Sequence, residues 1–197
     1  MITNLVEYQK HALVTKAFAP EGMTDLDHCA LGLVTEVAEI VDQYKKHWFY
    51  NKPLDMVNIK EEIGDILWYL AVGLNYLKAE MPQELFPVSN SMELTVKRAL
   101  IRLNNKVASF FAFTGLYHDP KQEEEGFAYD LFGLLNIVNH FCFIIGVDII
   151  ECADANIQKL MKRYPEGFTE FHAVNRDTEN ELSHITQETI KEDPVST

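Results

Sequence analysis

Two pairs of carboxylates, Glu36-Val-Ala-Glu39 and Glu62-Ile-Gly-Asp65, sit at i,i+3 spacing on consecutive segments whose apolar residues recur with a helical period. At about 100° per residue, setting Glu36 at zero puts Glu39 at roughly 300°, while Leu33, Val37, Ile40, Val41, Tyr44 and Trp48 spread over roughly 40–140°. Counting from Glu62 also puts Asp65 at roughly 300°, with Ile59, Ile63, Ile66, Leu67, Leu70, Leu74 and Leu77 over roughly the same arc. The acids thus flank the apolar stripe on the same side of both helices. Packed antiparallel through those stripes, the helices bring both acidic edges to one side of their contact. Carboxylate oxygens gathered in that way suit a hard divalent cation, Mg²⁺ or Mn²⁺. A single such pair is commonplace on a solvated helix face; the repeat of the same offset is what singles out Glu36, Glu39, Glu62 and Asp65.

A basic counterpart lies near the end of the chain. With Asn156 at zero, Lys159 falls at roughly 300° and Arg163 at roughly 340°, while Ile157, Leu160, Met161 and Tyr164 occupy roughly 40–140°. One amide and two cations on a stripe, beside a metal cradle, are what a polyphosphate needs: the metal screens charge and Lys and Arg hold the remaining oxygens. The alternative is a solvated helix end whose cations complement the dipole. Lys45, Lys46 and Lys52, next to Trp48, Phe49 and Tyr50, admit the same two readings, and the angle of Trp48 places it in the core. Asn136, Asn139 and His140 form a third constellation on the most apolar segment. They could read a nucleobase edge, but the expectation is a set of satisfied core polar groups.

The elements that must position these residues read as helices throughout. Asn4 or Thr3 caps a first helix to about Phe18, and a second begins near Asp25 and is stopped by Pro53. A third runs from about Asp55 to Lys78, and a fourth from a Ser91 cap to about Thr114 with a basic face of Lys97, Arg98, Arg102 and Lys106. A loop through His118-Asp119-Pro120 and the acidic run 123–125 leads to a fifth helix ended by Gly146, and a sixth spans about Asp148 to Tyr164. The expected fold is all-α, a bundle of about six helices in a single domain over residues 1–177, with a polar, acidic tail over 178–197.

The chain has 197 residues, 47% of them hydrophobic, and a formal net charge of −13. That charge argues against a nucleic-acid-binding surface, which needs a basic face to release counterions. Cys29, Cys142 and Cys152 are odd in number and lack zinc-site spacing, so a reducing, cytoplasmic setting is expected, and no secretory signal is read at the start. The uncharged stretch from Leu131 to Val147 is read as a buried bundle helix and not as a membrane span, because it is short and carries Asn136, Asn139 and His140. A di-iron bundle would need Glu-x-x-His couples facing a core, and the Glu181 to His184 couple lies in the polar tail.

Taken together, Glu36-Val-Ala-Glu39, the Lys-Lys-His-Trp-Phe-Tyr stretch from Lys45, Glu61-Glu62-Ile-Gly-Asp65-Ile-Leu-Trp-Tyr-Leu, and Asn156-Ile-Gln-Lys159 through Arg163-Tyr164-Pro165-Glu-Gly167-Phe168 resemble MazG-like nucleoside triphosphate pyrophosphohydrolases. The resemblance covers roughly residues 25–77 and 148–177. It implies an all-α fold that hydrolyses (deoxy)nucleoside triphosphates to monophosphate and pyrophosphate with Mg²⁺, Mn²⁺ being a possible substitute, in a homodimer or homotetramer. Carried over by position, it implies Glu36, Glu39, Glu62 and Asp65 as metal ligands, Glu39 and Glu62 as catalytic, Lys159 and Arg163 as phosphate contacts, Asn156 near the nucleotide, and Lys45 and Lys46 as weaker substrate contacts. The departure is the stretch from about 78 to 146, read as a two-helix insertion. A dUTP-specific all-α pyrophosphatase and a non-enzymatic nucleotide-binding adaptor are the alternative readings.

Overall fold

The computed structural model of the chain describes residues 1–88, 95–116 and 120–164. The expected cap at Ser91, the loop residues His118 and Asp119, the segment 165–177 and the tail 178–197 lie outside the described residues. Those described form six α-helices and a short 3-10 turn, with no strand among them: α1 Leu5–Ala12, α2 Asp25–Tyr50, α3 Met56–Tyr76, α4 Val96–Leu116, α5 Pro120–Ile145 and α6 Ile149–Arg163. The all-α expectation holds.

Local chemistry fixes most helix starts. Asn4 caps α1 by accepting from Glu7 N at 2.9 Å, and Thr24 and Asp27 form a reciprocal capping box at the start of α2. Asp55 and Asp148 cap α3 and α6. At the other ends, Asn51 (φ 53°) terminates α2 and Gly146 (φ 71°) follows α5, both left-handed.

Three boundaries differ from the sequence reading. Helix α1 gives way to the 3-10 turn Leu13–Thr15 and does not reach Phe18. There Thr15 Oγ1 donates to Ala12 O at 2.7 Å, and Trp68 Nε1 donates to Ala12 O at 3.2 Å and Thr15 Oγ1 at 3.0 Å, so side chains take over the helix end. Helix α4 begins at Val96, where Thr95 Oγ1 accepts from Arg98 N at 3.4 Å. Helix α5 begins at Pro120, a residue favoured at the first helical position, and already includes residues 123–125.

Helix α3 is central, packing on α1, α2, α5 and α6. Its second half is buried almost all round, from Ile66 and Leu67 through Leu70, Ala71, Val72, Gly73 and Leu74. Helices α2 and α3 form an antiparallel hairpin in which Gln43 meets Asn58, and Cβ atoms built on Gly32 and Gly73 would run into Tyr69 and Cys29. In that register Trp48 lies past the start of α3. It stacks on Tyr44 at 5.3 Å between centroids but stays 47% exposed, not in the core as its angle suggests.

Helices α4 and α5 make a second antiparallel pair, marked by Lys106 with Asp130 and Phe110 with Phe127. Helix α5 is long and apolar enough to cross a membrane over Glu125–Ile145, with a mean hydropathy of 1.5. Only 33% of that window is buried, so α5 packs by one face and is not the fully enclosed helix expected. Helix α1 clasps the far side of α3 and α6. Buried Gln9 donates from Nε2 to Ala79 O at 3.1 Å and accepts from Met81 N at 2.8 Å, and Ile2 N donates to Asp154 Oδ1 at 2.6 Å.

Helix α6 approaches α3 closely at Gly64, where an added Cβ would lie 2.8 Å from Asn156 Cβ and 3.2 Å from Cys152 O. Neither neighbour is the end of a flexible side chain. Alanine has the better helix propensity by ~1 kcal/mol, whereas overpacking costs about 1–3 kcal/mol. Gly64→Ala is therefore expected to lower stability by up to about 2 kcal/mol, read as a lower urea midpoint at unchanged slope.

Candidate functional site

The hairpin register brings the two acidic motifs face to face. Glu36 from α2 with Glu62 and Asp65 from α3 place one oxygen each within 4.8 Å of one another. They line a cavity of about 440 Å³ together with Glu39, Glu61, Asn58, Arg163, Tyr164, Trp68, Tyr69 and His28. Glu39 is exposed on this lining and outside the close trio.

Burial works against the charge of this cluster. Glu62 is 4% exposed. Desolvation pushes its carboxyl well above the usual range, helped by a hydrogen bond with Glu36 and by the charges of Glu39 and Asp65. Glu36 is raised as well, by desolvation first and then by Asp65. Asn58 holds Glu62 in place, its Nδ2 donating to Glu62 Oε1 at 2.6 Å while Gln43 Nε2 donates to Asn58 Oδ1 at 2.6 Å.

The counterweight comes from α6. Lys159, 2% exposed, donates from Nζ to both Asp65 oxygens at 2.7 and 2.6 Å and reaches Glu61 Oε1 at 3.3 Å. Asn156, also buried, donates from Nδ2 to Asp65 Oδ1 at 2.7 Å. Its own oxygen accepts from the Tyr8 hydroxyl at 2.9 Å, with Gly64 O 3.2 Å from the same hydroxyl. Asp65 is thus gripped by two α6 side chains one turn apart, and α1 fixes one of them.

The structure brings Glu36, Glu39, Glu62, Asp65 and Arg163 to one cavity, and sets Asn156 and Lys159 directly behind Asp65. Lys45 and Lys46 are not among the lining residues. Both pair with Asp42 on the surface of α2, Lys46 at 2.6 Å. Sequence reasoning missed Asn58, Glu61, Tyr8 and the aromatic wall of Trp68, Tyr69 and His28. Asn58 had a signal in its i,i+4 spacing to Glu62. Tyr8 had none, because its partner lies on the far side of the chain.

Three converging carboxylates, of which burial raises the proton affinity of Glu36 and Glu62, are a donor set that fits a divalent cation, since a cation relieves the repulsion that burial enforces.

Two outcomes follow from this geometry. Glu62 and Glu36 keep their protons in the fold at pH values where the unfolded chain has lost them, so unfolding releases protons and stability falls as pH rises above the ordinary carboxylate range. In EDTA the Tm of the wild type is expected to drop between pH 5 and pH 8. Glu62→Gln should flatten that slope, and an unchanged slope would contradict this account. Lys159→Met removes the buried cation from Asp65 and Glu61, and denaturant titration in EDTA should show a loss on the order of 3 kcal/mol.

Residues 25–99 match the family model of the MazG nucleotide pyrophosphohydrolase domain, a span that holds α2, α3 and both acidic motifs and ends at the start of α4. No curated protein and no solved structure matches the chain. Residues 25–99 are thus similar to that domain, and the all-helical architecture of the described residues is consistent with its all-α fold.

Proposed function

We propose that the chain hydrolyses (deoxy)nucleoside triphosphates to monophosphate and pyrophosphate with a divalent cation, Mg²⁺ or Mn²⁺, held by Glu36, Glu62 and Asp65. The observation that carries this reading is the convergence of those three carboxylates in a cavity that Arg163 also lines. A divalent cation there supplies charge neutralisation on the phosphates and acidification of the attacking water.

The chain's own groups do the rest. Arg163 offers a planar set of donors to phosphate oxygens and stabilises the leaving pyrophosphate. Lys159 and Asn156 fix Asp65, so the ligand oxygens are oriented before substrate arrives. Glu39 is the carboxylate on the rim that can take the proton of the attacking water. Water oxygen bonds to the α-phosphorus as the α–β bridging P–O bond breaks, pyrophosphate leaves, and the proton passes to Glu39. Glu62, bridged to Glu36, acts with it to hold the cation. Trp68, Tyr69 and His28 present ring faces and edges within the same cavity for the nucleoside. Assembly as a homodimer or homotetramer, and a cytoplasmic setting, belong to the same reading, supported by the exposed apolar side chains of Phe49 and Tyr50 at the end of α2 and by three buried free cysteines.

Anion exchange of reactions with each dNTP, each NTP and dUTP, with Mg²⁺ and with EDTA, tests this. The expected products are monophosphate and pyrophosphate, lost in EDTA and reduced at least ~100-fold in Glu39→Gln and Glu62→Gln with the helices still folded. Arg163→Gln should lower kcat as well as raise KM, because the guanidinium holds both the bound triphosphate and the leaving pyrophosphate. Release of orthophosphate instead of pyrophosphate would sink the assignment of the scissile bond, and full turnover in Glu39→Gln would remove Glu39 from its role.

A further inference from the structure

A second cavity, larger at about 660 Å³, lies between α4 and α5 under the segment that follows α3, and it shares no lining residue with the acidic site. Its floor is one face of α5, where Tyr129, Phe132, Asn136 and His140 recur at helical spacing. One wall is the basic face of α4, Arg102 and Lys106, and Phe86 closes the top. These are built positions. Asn139 Nδ2 donates to Phe86 O at 3.3 Å and ties the roof to α5. Lys106 is set by Asp130 at 2.5 Å, and its stem lies over Gly133, where an added Cβ would be 3.3 Å from Lys106 Cε.

Asn136 and His140 are therefore not enclosed core groups, as their setting in the most apolar segment suggests; they are half-buried and line the cavity, while Asn139 is satisfied by Phe86 O. Aromatic faces, an amide and an imidazole, and two cations together make a surface for a planar heteroaromatic ring carrying an anion. The cations are conspicuous in a chain of net charge −13. No carboxylate is among the described lining residues, whereas the divalent cation that a triphosphate brings with it calls for one. The two cations on the lining, Arg102 and Lys106, match a single phosphate. The volume falls within the range usual for small-molecule sites, about 300–1,000 Å³.

We infer that the α4–α5 cavity binds a nucleoside monophosphate, with its phosphate on Arg102 and Lys106 and its base against Tyr129, Phe132 and Phe86 beside Asn136 and His140. The site is non-catalytic and independent of the acidic cluster.

Calorimetric titration of the full chain in EDTA with AMP, GMP, CMP, UMP and dTMP, and with inorganic phosphate and the free nucleosides, tests it. At least one monophosphate is expected to bind at one site per chain, more tightly than phosphate or its own nucleoside. Arg102→Gln, on an exposed position, should weaken that binding roughly tenfold, and Tyr129→Ser should weaken it independently, while Glu62→Gln and Arg163→Gln leave it unchanged. Absence of binding by every monophosphate overturns the inference. So does binding lost in Arg163→Gln but kept in Arg102→Gln, or binding of phosphate alone with equal affinity. A sedimentation profile in which Arg102→Gln dissociates an oligomer while no nucleotide binds would give the cavity to a second copy of the chain instead.

Discussion

Everything around the acidic cavity depends on one electrostatic balance: carboxylates from α2 and α3 are forced together by the packing of their apolar stripes, and a single buried ammonium from α6 offsets them. The hairpin alone would place Glu36, Glu62 and Asp65 in mutual repulsion with partial loss of water, a state that burial makes costly. Proton sharing between Glu36 and Glu62 relieves part of this, and Lys159 relieves the part at Asp65 and Glu61. The same strain that raises proton affinity raises cation affinity. A candidate metal site and a destabilised hairpin are here two descriptions of one arrangement.

Packing supports that balance at a few close approaches. Gly64 lets α6 come near enough for Asn156 and Lys159 to reach Asp65, and Gly32 lets Tyr69 lie against α2. Tyr8 and Gln9 on α1 tie down α6 and the segment after α3 from the other side. Polar side chains inside the bundle thus act in series, each satisfied by a partner on a different helix. The two cavities divide the chemistry of the molecule. One is acidic and built on α2, α3 and α6; the other is aromatic and basic and built on α4 and α5.

The acidic motifs were legible because their spacing and their offset from the apolar stripe are both properties of a single helix, and the hairpin between them is short. Helix type was legible for the same reason, as were the end of α5 at Gly146 and the start of α6 near Asp148. What a side chain meets across the bundle was not. Lys159 and Asn156 fall on the right stripe by angle, yet their grip on Asp65 depends on the register of α6 against α3, which no local pattern encodes. Lys45 and Lys46 have a competing local partner in Asp42 at i,i+3 and i,i+4. Trp48 has the angle of a core residue, but the neighbouring helix has not begun at its level. The polar residues of α5 were read as buried because the segment is apolar, whereas the helix is covered on one face only.

The clasp between α1 and α6 has a consequence for how the molecule is made. Both hairpins, α2 with α3 and α4 with α5, join neighbours in sequence and can form early at small loop-closure cost. The bonds from Ile2 to Asp154 and from Tyr8 to Asn156 span almost the whole described chain. Contacts of such sequence separation are the late ones in folding, since they draw together the most chain entropy. The carboxylate cluster then exists first as a hairpin without its lysine, open to cations during synthesis. It acquires its counter-ion, and its fixed geometry, only when α6 docks.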